Sequence, residues 1–390
     1  MNKVLFFDLL FSQAIGGTNF HGGGEYIKSV FYGLSKEYDG SYDLIVCYDT
    51  ERFLDSWILE IIREKSINVC HVKTAEDIVK LIVDACSHDP KDKEVRFFAG
   101  LAYPYVNCTL PDSVISIGVC HGLRTLEKPY DRYAYLYVQS KSDIKELIKY
   151  VILKTRTTKK NRKVYENILK VFDVVITDSN HSAYSMKVNY PMQSQNREIL
   201  VFYPPEKHIE TVNETSTGRN EHYILMISAN RWIKNSYRGV KALDNLYEKG
   251  LLSGVKTRVY GNLPERIKKG IKNTECFEFF GYVNSEELEL AYKNCDIFFY
   301  PSLNEGFGLP PMEAMKYGKT CVISSICSLP ELYGDAVYYC NPYDVVEMQN
   351  RVLQAIEQHI KQGVIQSKLM TIKRRQDADL SALVKLLSDA

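Results

Sequence analysis

Residues 295–318 read CDIFFYPSLNEGFGLPPMEAMKYG, and the fold turns on how that stretch divides. CDIFFYPS is a short, aromatic-rich apolar run of the kind that forms a buried strand. LNEGFG supplies a loop in which Gly306 and Gly308 let the backbone take conformations closed to other residues and approach a ligand closely. Pro310 and Pro311 suit a first helical turn, where a missing N–H costs least. MEAMKYG then continues as helix, with Gly318 where a C-terminal cap would sit. The stretch therefore predicts strand, glycine loop and helix N-terminus, an anion site in outline. Gly306 gives the loop room, and the amides of Phe307, Gly308 and Leu309 are placed to hold the anion. Glu313 is expected in the first turn and Glu305 on the loop side. Two carboxylates beside an anion make sense only if the ligand also carries hydroxyls or develops positive charge. The plainer reading is a capped helix whose dipole favours acidic residues near its start. That reading leaves the two glycines unexplained.

The same alternation extends outward. KVLFFDLL, YDLIVCY, VRFFAG, VISIGVCHG and FDVVITDS read as strands of a first half, with amphipathic helices such as EYIKSVFYGLSKEY between them. The polar stretch HIETVNETSTGRNEH, 208–222, has no periodicity and suits an interdomain connection. Strands then resume with YILMISAN, KTRVYGN, CFEFFGYV, CDIFFYPS, KTCVISSI and AVYYCNP, and the last forty-odd residues read as helix. Strand–helix alternation of this kind predicts an α/β fold of two Rossmann-like, doubly wound parallel sheets. We place the boundaries at 1–205 and 206–369, with a C-terminal helix at 370–390 packing back on the first domain. In such sheets ligands sit outside the carboxyl ends of the strands, so facing domains would share a ligand cleft.

Composition narrows the function. A chain of 390 residues with 45% apolar and 25% charged content is an ordinary globular composition, too long for a single core. A net charge of +1 argues against nucleic acid as a partner. The ten cysteines form no C-x-x-C pair, so no zinc site and no metal ligand set is expected, and they suit a cytoplasmic protein with reduced thiols. No run approaches 18 apolar residues, and Asp8 interrupts the apolar N-terminal segment, which reads as a first strand rather than a signal peptide.

Three further clusters fall near predicted strand ends. SANRWIKN, 228–235, follows the strand that opens the second half, and its Arg231 and Lys234 could neutralise a diphosphate without a metal. GGTNFHGGGEYIKS, 16–29, sets a glycine loop before a helix, with Gly23 and Gly24 able to press backbone against a ligand. It matches neither G-x-G-x-x-G nor a Walker loop. VCHGLRTLEKPYDRY puts His121 just past a strand end, where it could bond a sugar hydroxyl, although a lone histidine is more often structural. The strip 141–170 carries ten Lys/Arg against three Asp/Glu, with Ile144, Leu147, Ile148, Val151 and Ile152 at helical spacing. It is either a solvated helix or a peripheral contact with a membrane surface. The DAD at 377–379 lies in a helical region and reads as a solvated face.

Taken together, YPSLNEGFGLPPMEAMKYGKTCVISSICSLPELYGDAVYYCNPYD resembles the donor-binding signature of GT-B fold retaining glycosyltransferases of family 4 (glycosyltransferase group 1), whose E-x7-E motif falls on Glu305 and Glu313. SANRWIKN is similar to that family's phosphate-binding segment, on Arg231 and Lys234, and VCHGLRTLEKPY to its N-domain histidine segment, on His121. The resemblance is specific over about 223–345 and looser over 1–205. It implies an acceptor-binding first domain and a second domain that binds a nucleoside-diphosphate sugar, with base contacts near Tyr282 and Val283. It implies transfer of a hexosyl or deoxyhexosyl group to a hydroxyl acceptor (a glycan or lipid-linked sugar) in polysaccharide or glycolipid assembly, with no cofactor and no required metal. Glu305 and His121 would be the catalytic residues, acting at the inner face of a membrane or in the cytoplasm. The alternatives on this architecture are a nucleotide-sugar epimerase and a non-catalytic scaffold that binds nucleotide or lipid.

Overall fold

The computed structural model describes residues 2–14, 22–87, 93–207 and 222–388. Among these described residues, thirteen strands fall into two sheets. The first contains β1 (Asn2–Asp8), β2 (Asp43–Tyr48), β3 (Asn68–His71), β4 (Lys93–Ala99), β5 (Val114–Cys120), β6 (Val174–Thr177) and β7 (Glu198–Val201), in the order β3-β2-β1-β4-β5-β6-β7. The second contains β8 (Tyr223–Met226), β9 (Lys256–Tyr260), β10 (Phe277–Phe280), β11 (Ile297–Tyr300), β12 (Thr320–Ser324) and β13 (Tyr338–Cys340), in the order β10-β9-β8-β11-β12-β13. Every pairing is parallel. Each order reverses direction once, between β1 and β4 and between β8 and β11, which are the positions where doubly wound sheets open a crevice.

The central strands are buried on both faces, as parallel sheets covered by helices require. In the first sheet Leu5 and Phe7 of β1 pack with Leu44 and Val46 of β2 and with Ile27, Phe31 and Leu34 of the helix Gly22–Glu37. Short β3 and β7 escaped the sequence reading, because NVCH and EILV are four-residue edge strands with exposed or half-exposed side chains and little hydrophobic pattern.

The chain divides into two compact units, 1–123 with 160–210 and 373–390, and 124–159 with 211–372. A single boundary at 205/206 therefore misses one feature: the segment 124–159, which follows β5, packs with the second sheet. The reason is a set of buried polar contacts. Arg238, on the helix Ser236–Glu248, donates to both carboxylate oxygens of Asp131 at 3.1 and 3.0 Å. Both residues are about 5% exposed. The Tyr137 hydroxyl accepts the backbone N–H of Tyr237 at 2.7 Å, and the Tyr137 ring joins the second core with Ile224, Leu243 and Phe299. Asn304 donates to Glu127 at 2.7 Å. The last helix, Gln362–Ser388, begins in the second unit, and its residues from 373 onward belong to the first, where Leu383, Val384 and Leu387 enter the core. Gly33 permits this, since a Cβ there would stand 2.9 Å from the Leu380 methyl groups.

The basic strip is two helices, Lys141–Val151 and Lys154–Val171. The connecting loop around 208–221, and residues 16–21 of the first glycine-rich segment, lie outside the described residues.

Candidate functional site: the switch point of the second sheet

Because β8 and β11 are neighbours in the sheet, the loops that leave their carboxyl ends emerge side by side. The first loop carries Arg231 and Lys234, the second Glu305, so topology alone brings together residues separated by 71 positions. Lys234 donates to Glu305 Oε1 at 2.6 Å, and both side chains are about 10% exposed, at 11% and 10%. The Tyr300 hydroxyl, at the end of β11, donates to the same oxygen at 2.7 Å. It also accepts from Lys234, whose ammonium lies 5.0 Å from the Tyr300 ring centre.

The electrostatics of this group are asymmetric. Burial pushes the Glu305 carboxyl up, but the Lys234 ammonium, helped by hydrogen bonds from Ser302 and Tyr300, more than offsets it and holds the carboxyl below its usual range. Burial, with the nearby positive charges of Arg231 and Arg124, holds Lys234 below the usual lysine value against the pull of Glu305. Three cations, Lys234, Arg231 and Arg124, thus stand around the single carboxylate of Glu305. Such a site accepts an anion and offers one anchored carboxylate to whatever hangs from that anion.

The loop itself is held from behind. Ser328 donates to the carbonyls of Glu305 and Phe307 at 3.2 and 2.8 Å, and Tyr333 donates to the carbonyl of Gly308. Gly308 sits at φ +98°, and a Cβ would lie 2.5 Å from Leu329, so backbone angle and space both exclude other residues. It is the N-cap of the helix Leu309–Lys316. Phe307 is buried, while Gly306 and Leu309 are half-buried. Pro310 and Pro311 carry no N–H, so the first turn has fewer donors than a standard helix start, and the loop amides must supply what the helix cannot. Glu313 is the fifth residue of that helix and so lies just beyond its expected place in the first turn. It pairs with Lys316 at 3.1 Å.

Behind Arg231 and Lys234, Asn235 adopts the left-handed conformation at φ +60°, which asparagine tolerates better than most residues. Its buried amide donates to the carbonyls of Pro301 and Pro342 at 2.9 and 2.7 Å, fastening the two loops together. Val283 is half-buried and the neighbouring Tyr282 exposed, the Tyr282 hydroxyl accepting from Asn230 at 2.5 Å. Thus Arg231, Lys234, Glu305, the loop 306–309 and Glu313 belong to one unit, with Lys234 and Glu305 in direct contact.

His121, Gly23 and Gly24 belong to the first unit. His121 Nδ1 faces the Asp178 carboxylate at 2.9 Å and Nε2 faces the Gly100 carbonyl at 2.8 Å. Neither partner can donate, so the arrangement suits a ring with a proton on each nitrogen, the imidazolium. Burial opposes that charge, and Asp178 with Gly100 overcomes it, so the pKa is raised. A Cβ on Gly23 would stand 2.7 Å from Leu101, so that glycine serves helix packing. Gly24 is buried in the same helix.

Sequence reasoning missed Tyr300, Ser328, Tyr333 and Asn235. Serine and tyrosine in these positions carry no spacing signal, whereas the place of Asn235 between a strand end and a helix is a signal that could have found it.

The two sheets define the class: this is the GT-B architecture of glycosyltransferases. Sucrose-phosphate synthase from Thermosynechococcus elongatus superposes with a TM-score of 0.63 at 13% identity, over 99% of this chain and 97% of that one. Anabaena HepE, solved in complex with UDP and glucose, superposes with a TM-score of 0.57 at 16% identity, over 98% and 100%. Residues 209–368 match the model of the family of glycosyl transferases group 1. Among curated proteins, the serotype-specific mannosyltransferase WbdA of Escherichia coli is 36% identical over 102 residues, 24% of this chain and 12% of WbdA. The O-antigen chain mannosyltransferase B of Escherichia coli is 43% identical over 79 residues, 20% of this chain and 21% of that protein. The chain thus matches these curated relatives over about a fifth of their length or less.

Proposed function

We propose that the protein is a retaining glycosyltransferase that moves a hexosyl group from a nucleoside-diphosphate sugar to a hydroxyl of a glycan or lipid-linked saccharide, without a required metal. The observation that carries this reading is the buried Lys234–Glu305 pair beside exposed Arg231, at the switch point of a sheet that lies in a glycosyl transferases group 1 region. Diphosphate oxygens would be met by Arg231, Lys234 and the amides of 307–309, and the ribose by Glu313. In the transfer step the acceptor oxygen bonds to the sugar C1 as the C1–O bond to the β-phosphate breaks. The bonding pair leaves with the nucleoside diphosphate, and the acceptor's proton passes to a departing phosphate oxygen on the same face, which retains configuration. Preplaced cations stabilise the charge that develops on the leaving oxygen. Glu305, fixed by Lys234 and Tyr300, would position sugar hydroxyls and support positive charge at C1. His121, with both N–H groups committed to Asp178 and the Gly100 carbonyl, would act neither as a base nor as a free donor, but would fix the strand ends around it. The mannosyltransferase relatives make a mannosyl donor and an O-antigen-like polysaccharide the first substrates to try.

Thermal unfolding with UDP, GDP, ADP and dTDP, each with magnesium and with chelator, tests the donor site. A nucleotide at a hundred times its Kd stabilises the fold by about 2.7 kcal/mol. One nucleotide should raise Tm equally in both conditions. Arg231→Ala should lose transfer with folding intact, because Arg231 is exposed, whereas Glu305→Ala would leave the Lys234 ammonium buried without its partner. Full transfer activity in Arg231→Ala, or interconversion of sugar nucleotides with no acceptor present, would end the reading.

A membrane contact is favoured by a separate observation. On the helix Lys141–Val151 and just beyond it, Ile144, Ile148, Val151 and Ile152 are 47%, 43%, 54% and 73% exposed, flanked by Lys141, Lys145 and Lys149. Among the described residues no helix is long and apolar enough to cross a membrane, and this face would lie on an anionic surface instead. Flotation with phosphatidylglycerol vesicles but not with phosphatidylcholine alone is the expected result, and equal behaviour with both removes the contact.

A further inference from the structure

Residues of the segment 124–150 and residues 230–233 line an open cavity of about 380 Å³, all of them in the second unit. That volume is in the range of small-molecule sites. The helix Lys141–Val151 contributes two faces with different fates. Ile144 and Ile148 are exposed, while Leu147 and Tyr150 line the cavity.

The polar groups of the lining indicate the ligand. Asp143 is committed to its helix cap, accepting the backbone N–H groups of Gln139 and Ser140 at 2.9 and 2.8 Å. Glu146 is paired with Lys149, and Lys128 with Asp131 at 3.3 Å. The Tyr137 hydroxyl holds the backbone of Tyr237. Among the described residues, the guanidinium groups of Arg124 and Arg231 have no such partner, and both residues are exposed. The acids of the wall are thus spent and the arginines are not. What the cavity presents is positive charge between the aromatic side chains of Tyr130, Tyr150 and Trp232. Guanidinium forks fit phosphate oxygens, and aromatic faces with polar edges fit the body of a sugar ring. Arg231 lies at the boundary with the donor loop, so a ligand here would sit beside the departing phosphate.

We propose that this cavity is the acceptor subsite, and that it takes a saccharide bearing a phosphate, with Arg124 as the phosphate ligand. This rests on the donor reading given above. The phosphate could belong to the glycan itself or join it to a lipid, and the two sources share one chemistry. The test titrates mannose, mannose 6-phosphate and octyl mannosyl phosphate into the full chain saturated with whichever nucleoside diphosphate raises Tm. Both phosphates should bind and mannose should not. If the phosphate lies on the glycan, mannose 6-phosphate should bind more tightly, and if it joins glycan to lipid, the octyl diester should. Arg124→Gln should weaken the phosphates by about tenfold or more, as loss of a charged hydrogen bond does, and Tyr150→Ala should weaken all the sugars. Lys272→Gln, an exposed cation of the same unit outside the cavity lining, should change nothing. None of the three variants should alter the nucleotide shift. Equal binding of mannose and its phosphates, unchanged affinity in Arg124→Gln, or loss of nucleotide rather than sugar phosphate in that variant would each overturn the proposal. If no nucleotide raises Tm, the donor reading fails by itself, and the same titration run without nucleotide still decides the role of Arg124.

Discussion

The two sheets share one strand order near their switch points, yet those points present opposite chemistry. In the second sheet the loops after β8 and β11 bring together Arg231, Lys234 and one neutralised carboxylate, a receptor for anions. In the first sheet β1 ends on fully buried Asp8, whose carboxyl burial pushes up to about 7 against hydrogen bonds from Tyr105 and Phe11. The strand ends beside it carry Gly100, His121 and Asp178, which satisfy one another. Common topology therefore fixes where a ligand can bind, and side-chain charge decides which ligand. A diphosphate suits the second switch point and would meet an acid at the first.

The contrast can be broken most severely at the Lys234–Glu305 pair. Lys234→Ala strands a buried carboxylate and should cost about 3–5 kcal/mol of stability together with nucleotide binding, as read by denaturant unfolding and thermal shift. Asp131→Asn removes one charge from the pair that fastens 124–159 to the second unit, and should cost about 1.5–3 kcal/mol, with proteolysis opening near 124–159 first.

The titrations of the two units should run in opposite senses. Glu305 is held low, so its contribution is complete above the ordinary carboxylate range and is lost as pH falls through its depressed value. His121 is held high, so its contribution is complete below about 6.5 and is lost as pH rises through its raised value. Stability profiles of Glu305→Gln and His121→Asn should each flatten on one side only, acid for the first and neutral-to-alkaline for the second. The smallest expected effect is at Glu313. Its partly exposed pair with Lys316 is worth less than about 1 kcal/mol, so Glu313→Gln should leave Tm nearly unchanged while lowering nucleotide affinity.

Much of this was legible in the chain. Runs such as FDVVITDS and CDIFFYPS are apolar on both faces, which only a covered parallel sheet requires, and Gly308 before two prolines marked a loop entering a helix. Arg231, Lys234 and Glu305 could be named from motif and position after a strand. Three things could not. The short strands β3 and β7 lack a pattern of their own and exist because neighbours pair with them. The segment 124–159 follows the first sheet in sequence but joins the second, because Arg238 and Asp131, 107 residues apart, find each other in a buried site. The direct contact of Lys234 with Glu305 follows from β8 lying beside β11, a non-local pairing that no local pattern encodes. Local sequence determined element type and the residues available for chemistry. The tertiary structure decided which of those charges are buried, which are paired, and which are left facing a ligand.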